Sequence, residues 1–189
     1  MAMIEVRWHG RGGQGAKTAS QFLGEAALDT GKYIQAFPEY GPERAGAPMR
    51  SYTRISDTVI TIHSSVTNPD IVVVIDPTLV GSIDVTEGLG DKGVILVNTD
   101  KSPKDIRKVL DFTKGRVATV DATKISLETL GIPMPNMPML GALLKVNPLV
   151  TIDQLSERVK GKFLKKIGEE KTNANIEGIK RAYSEVKID

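Results

Sequence analysis

Cysteine is absent from all 189 residues, which excludes a disulfide, a thiolate zinc site, a catalytic thiol and a cysteine-ligated iron–sulfur cluster on this chain. Histidine is scarce as well: His9 and His63 stand far apart, near expected strand ends, too sparse for a histidine-based metal site. There is no long apolar run of membrane-spanning length, and MAMIEVRWHG lacks the basic segment and apolar core of a signal peptide. A large excess of one charge is missing too, since 25 Lys and Arg face 23 Asp and Glu for a formal charge of +2. That balance gives no reason to expect nucleic acid or an anionic membrane as partner, and it suits a soluble, cytoplasmic chain.

What remains is enough for one sizeable core. Hydrophobic residues make up 40% and no compositional break divides the chain, so one domain over residues 1–189 is expected. Met3 to Trp8 reads as a buried strand, followed at once by a glycine loop and then by Ala19, Phe22, Leu23, Ala26 and Ala27 at helical spacing, closed by Gly31. Lys32 to Phe37 is a second short strand leading into PEYGPERAGAP, whose prolines and glycines forbid a helix. MRSYTRIS and TVITIHSS alternate around Asp57 as a β-hairpin would.

PDIVVVID, GVILVNT and RVATVDA have the continuous β-branched character of strands covered on both faces. Between the last two, SPKDIRKVLDF offers Ser102 as N-cap and Pro103 in the first turn; TKISLETL follows Asp121 as another helix. MLGALLKV, IDQLSERVKGKFLKKI and a segment from about Asn173 to Val186 make the C-terminal third helical. The expectation is an α/β, Rossmann-like domain: a mostly parallel sheet with helices on both faces, an inserted antiparallel hairpin and a helical C-terminal third. Lys160, Lys162, Lys165 and Lys166 read as the wet side of a surface helix. The methionines of IPMPNMPML suit core filling or a pliable partner surface equally, and Gly141 and Ala142 permit close helix packing.

Chemistry concentrates in HGRGGQGAKT. Gly10, Gly12 and Gly15 satisfy G-x-G-x-x-G, with Gly13 as a fourth glycine, between a strand and a helix. Such a loop allows positive φ and close backbone approach, and the following helix points free N–H groups at an anion. Arg11 and Lys17 could add charge, and Gln14 an amide. A dinucleotide-binding fold would place an acid at the end of the second strand for the ribose, where this chain has Gln35, Ala36 and Phe37, with Glu39 arriving late in a proline loop. A free-standing NAD(P) or FAD oxidoreductase is therefore the weaker reading, beside a nucleotide-sensing or scaffolding domain.

Four blocks, RGGQGAKTAS, AFPEYGPERAGAPMRSYTRIS, NPDIVVVIDPTLV and NMPMLGAL, resemble in this order the gamma subunit of pyruvate:ferredoxin oxidoreductase. Related 2-oxoglutarate and indolepyruvate subunits tend to read RGG where this chain has Ala45-Gly46-Ala47-Pro48, which tilts the resemblance towards pyruvate. It implies an enzyme of several chains that decarboxylates a 2-oxoacid on thiamine diphosphate with Mg2+, passes electrons through [4Fe-4S] clusters to ferredoxin and releases acyl-coenzyme A. Those cofactors would sit on alpha, beta and ferredoxin-like delta partners, because this chain has neither cysteine nor the GDG-to-NN signature of a thiamine site. No catalytic and no metal-binding residue is assigned to it.

Its expected contribution is subunit contact and a surface near the coenzyme A path. Arg11, Gly12, Gly13, Gln14 and Gly15 would form one side of that contact, with Tyr40, Glu43 and Arg44 of the proline loop on the other, both beyond the carboxyl ends of strands. A plain connector would need fewer prolines, glycines and charges than this loop carries. Arg44→Ala is expected to weaken assembly with the partner chains or coenzyme A affinity of the reconstituted enzyme; if both stay unchanged, the loop leaves the site.

Overall fold

The computed structural model describes residues 3–39 and 46–189. Strand β1 (Ile4–Arg11) leads into helix α1 (Ala16–Leu28), followed by β2 (Tyr33–Glu39) and β3 (Pro48–Ser56). Then come β4 (Ile71–Val74), a 3-10 turn at Pro77–Leu79, β5 (Val94–Asn98), α2 (Pro103–Val109), β6 (Arg116–Val120), α3 (Ala122–Leu130), α4 (Asn136–Val146), α5 (Ile152–Glu185) and a short β7 (Lys187–Ile188). One sheet holds these strands in the order β2-β3-β1-β4-β5-β6-β7. β1, β4, β5 and β6 are parallel neighbours, whereas β3 runs antiparallel between β1 and β2, and β7 antiparallel to β6.

Strand residues alternate between two apolar layers, as the two-residue period of a pleated strand requires. Val6, Trp8, Ile71, Val73, Leu96 and Ala118 pack with α1, α3, α4 and α5. Val72, Val74, Ile95, Val97 and Val117 face the other way, under Ile106 of α2, Phe112, Leu79 and Val85. The central strands are thus buried on both sides, which accounts for their unbroken Val/Ile runs.

Ser102 caps α2 as expected and Asp121 caps α3, whereas α1 ends at Leu28 with Asp29, ahead of the expected Gly31, at its C-cap. Ser102 Oγ accepts from the Asp105 N–H with Pro103 behind it, and Asp121 Oδ1 accepts from the Lys124 N–H at 2.8 Å.

The hairpin differs from its sequence reading. β3 pairs with β2, from Tyr33↔Ser56 to Glu39↔Arg50, while residues 57–63 form no strand. A strand has two edges, and those of β3 are taken by β1 and β2, so TVITIHSS cannot form the expected hairpin with it. It crosses over the sheet instead: the Ile62 carbonyl accepts from Gln35 Nε2 at 2.8 Å, and Val59 is 66% exposed. β2 also continues through Pro38, which a terminal strand tolerates because one of its edges needs no N–H.

The expected last two helices form one run, α5, broken at Gly168 (φ 81°, ψ 170°), a conformation open to glycine. The first half is held to α1 by Arg158 Nε donating to Asp29 Oδ2 at 2.8 Å, by Lys162 on Glu25, and by the edge of Phe163 against Phe22 with ring centroids 4.9 Å apart. The second half crosses α4 where Gly141 has no side chain: a Cβ there would lie 1.9 Å from the Ile179 carbonyl oxygen. Met137 and Met139 are core, as the core-filling reading of the Met–Pro segment has it, whereas Ile132 ahead of them is 48% exposed. Gly141→Ala should therefore lower stability by about 1–3 kcal/mol or more through overpacking, read as a reduced urea midpoint at unchanged slope.

Candidate functional site

β1 ends at Arg11, and the backbone beyond it calls for glycine at Gly13 and Gly15. Gly10 lies against α1, where a Cβ would sit 3.3 Å from that of Ala16; Gly13 and Gly15 adopt φ 96° and 82°. Gly15 is the N-cap of α1, without a side-chain cap and without an acid in the first turn. The Ala19 N–H bonds the Gly15 carbonyl at 2.9 Å, so the amides of Ala16, Lys17 and Thr18 precede the intrahelical ladder and give the corner its positive polarity. Gly12, Gly13 and Lys17 are exposed.

This corner is held by one carboxylate. Asp76, 4% exposed just beyond β4, accepts from Arg11 Nε at 3.0 Å and from Gln14 Nε2 at 2.7 Å on Oδ2. Its Oδ1 accepts from the N–H and hydroxyl of Thr78 at 2.8 and 2.7 Å. Gln14 turns its oxygen back to the Arg11 N–H at 2.7 Å, and Arg11 Nη2 reaches the Thr78 hydroxyl at 3.1 Å. Burial acts to raise the pKa of Asp76, but the bonds from Thr78 and Gln14 and the Arg11 charge outweigh it and leave it below the usual aspartate value. Next along the rim, Asn98 donates to the Ile75 carbonyl at 2.9 Å and to the Thr123 hydroxyl at 2.8 Å, and accepts from the Thr123 N–H at 3.2 Å.

Of the residues expected at the site, Arg11 and Gln14 meet on Asp76, so their charge and amide are spent within the chain. The proline loop arrives beside them: the Gly12 N–H points to the Ala47 carbonyl at 3.4 Å, and Arg11 Nη1 to the Gly46 carbonyl at 3.2 Å. Tyr40, Glu43 and Arg44 lie outside the described residues. Sequence reasoning missed Asp76, Asn98 and Asn136. For Asp76 a signal existed, an acid at a strand end followed by proline, the pattern of a capped turn. Asn136, 5% exposed, reaches Gly15 from α4: its Nδ2 faces the Gly15 carbonyl at 3.5 Å, and a Cβ on Gly15 would lie 2.4 Å from that nitrogen.

Below the loop, on the face of β1 away from α1, Arg7 is buried with its guanidinium on the carbonyls of Val85 (3.2 Å) and Glu87 (2.5 Å). Arg7 Nε donates to His9 Nε2 at 3.1 Å, which assigns the imidazole proton to Nδ1. Burial, then the charges of Arg7 and Arg50, push His9 from 6.5 down to about 3, so it is a neutral acceptor.

The corner thus presents exposed glycines and the uncapped N-terminus of α1 beside a fully paired carboxylate. Among the described residues no cluster of three or more His, Asp or Glu could hold a metal ion, and no helix is long and apolar enough to cross a membrane. Residues 5–185 match the family model described as pyruvate ferredoxin/flavodoxin oxidoreductase. The chain belongs to that family. It is 51% identical over 184 residues to pyruvate synthase subunit PorC of Thermotoga maritima, covering 97% of this chain and 95% of that one. It is 46% identical over 186 residues to the common gamma subunit of pyruvate/ketoisovalerate oxidoreductases from Pyrococcus furiosus, covering 98% of each. The crystal structure of the T. maritima pyruvate oxidoreductase subunit PORC superposes with a TM-score of 0.89, covering 100% of this chain and 99% of that one at 46% identity. The resemblance carried by the four sequence blocks is thus confirmed at the level of the family and its gamma-type subunit, and the α/β sheet with its helical C-terminal third is the family's fold.

The buried neutral His9 predicts an acid sensitivity that starts early. Its folded pKa lies below the unfolded one, so the unfolded chain binds a proton that the folded chain refuses. The stabilisation is complete above 6.5 and is lost as pH falls towards about 3. Urea unfolding between about pH 7 and about pH 5 should show a slope approaching ~1.4 kcal/mol per pH unit, which His9→Gln flattens.

Proposed function

We propose that this chain is the gamma subunit of a pyruvate synthase: an assembly that converts pyruvate, coenzyme A and oxidised ferredoxin to acetyl-coenzyme A, CO2 and reduced ferredoxin. The observation that carries the proposal is the match along nearly the whole length to subunits named for that activity. Oxidation and decarboxylation need redox centres and an electron sink for the acyl carbanion. With no cysteine in the sequence, thiamine diphosphate, Mg2+ and the [4Fe-4S] clusters are assigned to alpha, beta and ferredoxin-like delta partners in the cytoplasm.

This chain's part is a rigid rim of backbone N–H groups, set by Asp76 and turned towards those partners and coenzyme A. The relative from P. furiosus is a subunit common to pyruvate and ketoisovalerate enzymes, which supports a gamma chain that does not itself read the oxoacid. A free-standing dinucleotide enzyme is disfavoured by Glu39, the one acid near the ribose position, whose carboxylate is held by Tyr52 and by Ser65 Oγ at 2.8 Å.

The test is co-expression with the neighbouring chains. The expected outcome is one complex with cluster absorbance, thiamine-dependent reduction of ferredoxin with pyruvate, and no turnover by this chain alone. Recovery as a lone species that binds NAD or FAD would overturn the proposal, and turnover of 2-oxoglutarate but not pyruvate would overturn its substrate.

A further inference from the structure

The 13-residue α1 carries the chain about 20 Å away from the glycine corner. Beyond its far end a pocket of about 680 Å³ opens between the end of α4 and the two ends of α5. Its floor is apolar, with Leu144 of α4 1% exposed and Val150 6% exposed. Half-buried Leu149, Ile152 and Tyr183 form the walls. The rim is polar, but most of its side chains are already spent. Thr151 and Gln154 bond each other as the capping box of α5, and the hydroxyls of Thr30 and Ser184 donate to the carbonyls of Ala27 and Lys180 at 2.7 and 3.2 Å. What remains is the exposed ammonium of Lys180, without a carboxylate partner among the described residues, and the hydroxyl of Tyr183, without a hydrogen-bond partner among them. No acid is among the described residues that line the pocket. A second cation stands close, since Lys145 Nζ lies 5.1 Å from the centroid of the Tyr183 ring. The charge is of one sign, and it sits at the mouth above an oily floor.

Small-molecule sites are concavities of about 300–1,000 Å³, mostly apolar, with a few convergent polar groups. The layering selects among the molecules that could enter. A phosphate ester calls for several cations or a bare helix N-terminus, and the start of α5 is capped. A neutral hydrocarbon leaves the ammonium and the hydroxyl unused. One ammonium beside one hydroxyl, at the edge of an apolar pit, suits a single carboxylate on a hydrocarbon tail. We infer that this pocket binds an alkyl carboxylate, with its chain over Leu144 and Val150 and its head between Lys180 Nζ and the Tyr183 hydroxyl. Such an occupant ties the first turn of α5, through Ile152, to its last turns, through Tyr183. The site shares no residue with the glycine corner, and it stands whether or not the chain serves a pyruvate enzyme.

Titration of the full chain with butanoate, hexanoate, octanoate and octanol, read by calorimetry and by the NMR shifts of the Leu149 and Ile152 methyls, tests it. Affinity should rise about three- to fourfold for each added methylene, the worth of taking one CH2 out of water. Octanoate should bind at least about threefold more tightly than octanol, the reach of an exposed charge pair. Lys180→Gln, at an exposed helical position, should erase that ratio and leave octanol affinity unchanged. Absence of octanoate binding at millimolar concentration, affinity indifferent to chain length, equal binding of octanol, a ratio that survives Lys180→Gln, or shifts confined to other methyls would each overturn the proposal. All but one of these outcomes are read on the unaltered chain, so misfolding of the variant does not shield it. The assembled complex decides between a small molecule and a protein segment. Octanoate bound by the complex as tightly as by the free chain supports the site, whereas binding lost on assembly makes the pocket a seat for a partner chain and overturns it.

Discussion

A buried carboxylate must be answered by donors or it will not stay charged, and the carboxyl rim of this sheet is organised around the answer given to Asp76. Four donors from three residues converge on it: Arg11 and Gln14 from the glycine corner, and Thr78 from the turn beyond β4. The result is a cross-brace between the ends of β1 and β4, neighbours in the sheet whose connecting loops would otherwise be independent. Gln14 is held at both ends, by Asp76 and by the Arg11 N–H, which fixes the loop that aims α1. Arginine and glutamine beside a glycine motif invite assignment as ligand contacts; here they shape the loop, and the polarity left for an outside group is that of the backbone.

The antiparallel β3 decides what kind of Rossmann-like sheet this is. Where a crossover helix would return the chain to a parallel neighbour, β3 lies directly against β1, with Arg11 opposite Pro48. That register places the end of the proline loop at the glycine corner. It also lets β1 and β3 turn polar residues to one face: Arg7 and His9 from β1, Tyr52 and Arg54 from β3. Tyr52 donates to Glu39, and Arg54 pairs with Glu5 at 2.7 Å and Gln35 at 3.0 Å. The opposite face of the same strands is apolar and packs on α1, tied by the Trp8 indole to the Thr53 hydroxyl at 3.0 Å. One short strand pair therefore presents oil on one side and a charged network on the other.

Much of this was legible in the residues, because the signals were local. Unbroken Val/Ile runs gave the central parallel strands, and Ser102-Pro103 and Asp121 gave two helix starts at the correct residues. The glycine corner and its helix followed from spacing. What sequence could not supply was pairing: TVITIHSS alternates as well as a strand does, but it cannot pair with β3, whose two edges are occupied by β2 and β1. The site failed in the same way. Arg11 and Gln14 were visible as polar residues in the right loop, but their partner is 62 residues beyond Gln14, and Asn136 meets Gly15 across 121 residues of chain. No local pattern encodes such a meeting. The break in α5 was legible as well: the helix IDQLSERVKGKFLKKI was expected to end at Ile167, and the chain departs from helical geometry at the next residue, Gly168.

Backbone contact at Gly141 between α4 and the half of α5 after Gly168 leaves no side chain there to yield, so these two pieces pack as a single plank. Met137 and Asn136 belong to that plank, whereas Ile132 and Met134 lie on the short segment ahead of α4, and Phe163 and Ile167 on the half of α5 before Gly168. Any movement around this plank must come from those last two margins, like the jaws of a vice whose bed is fixed.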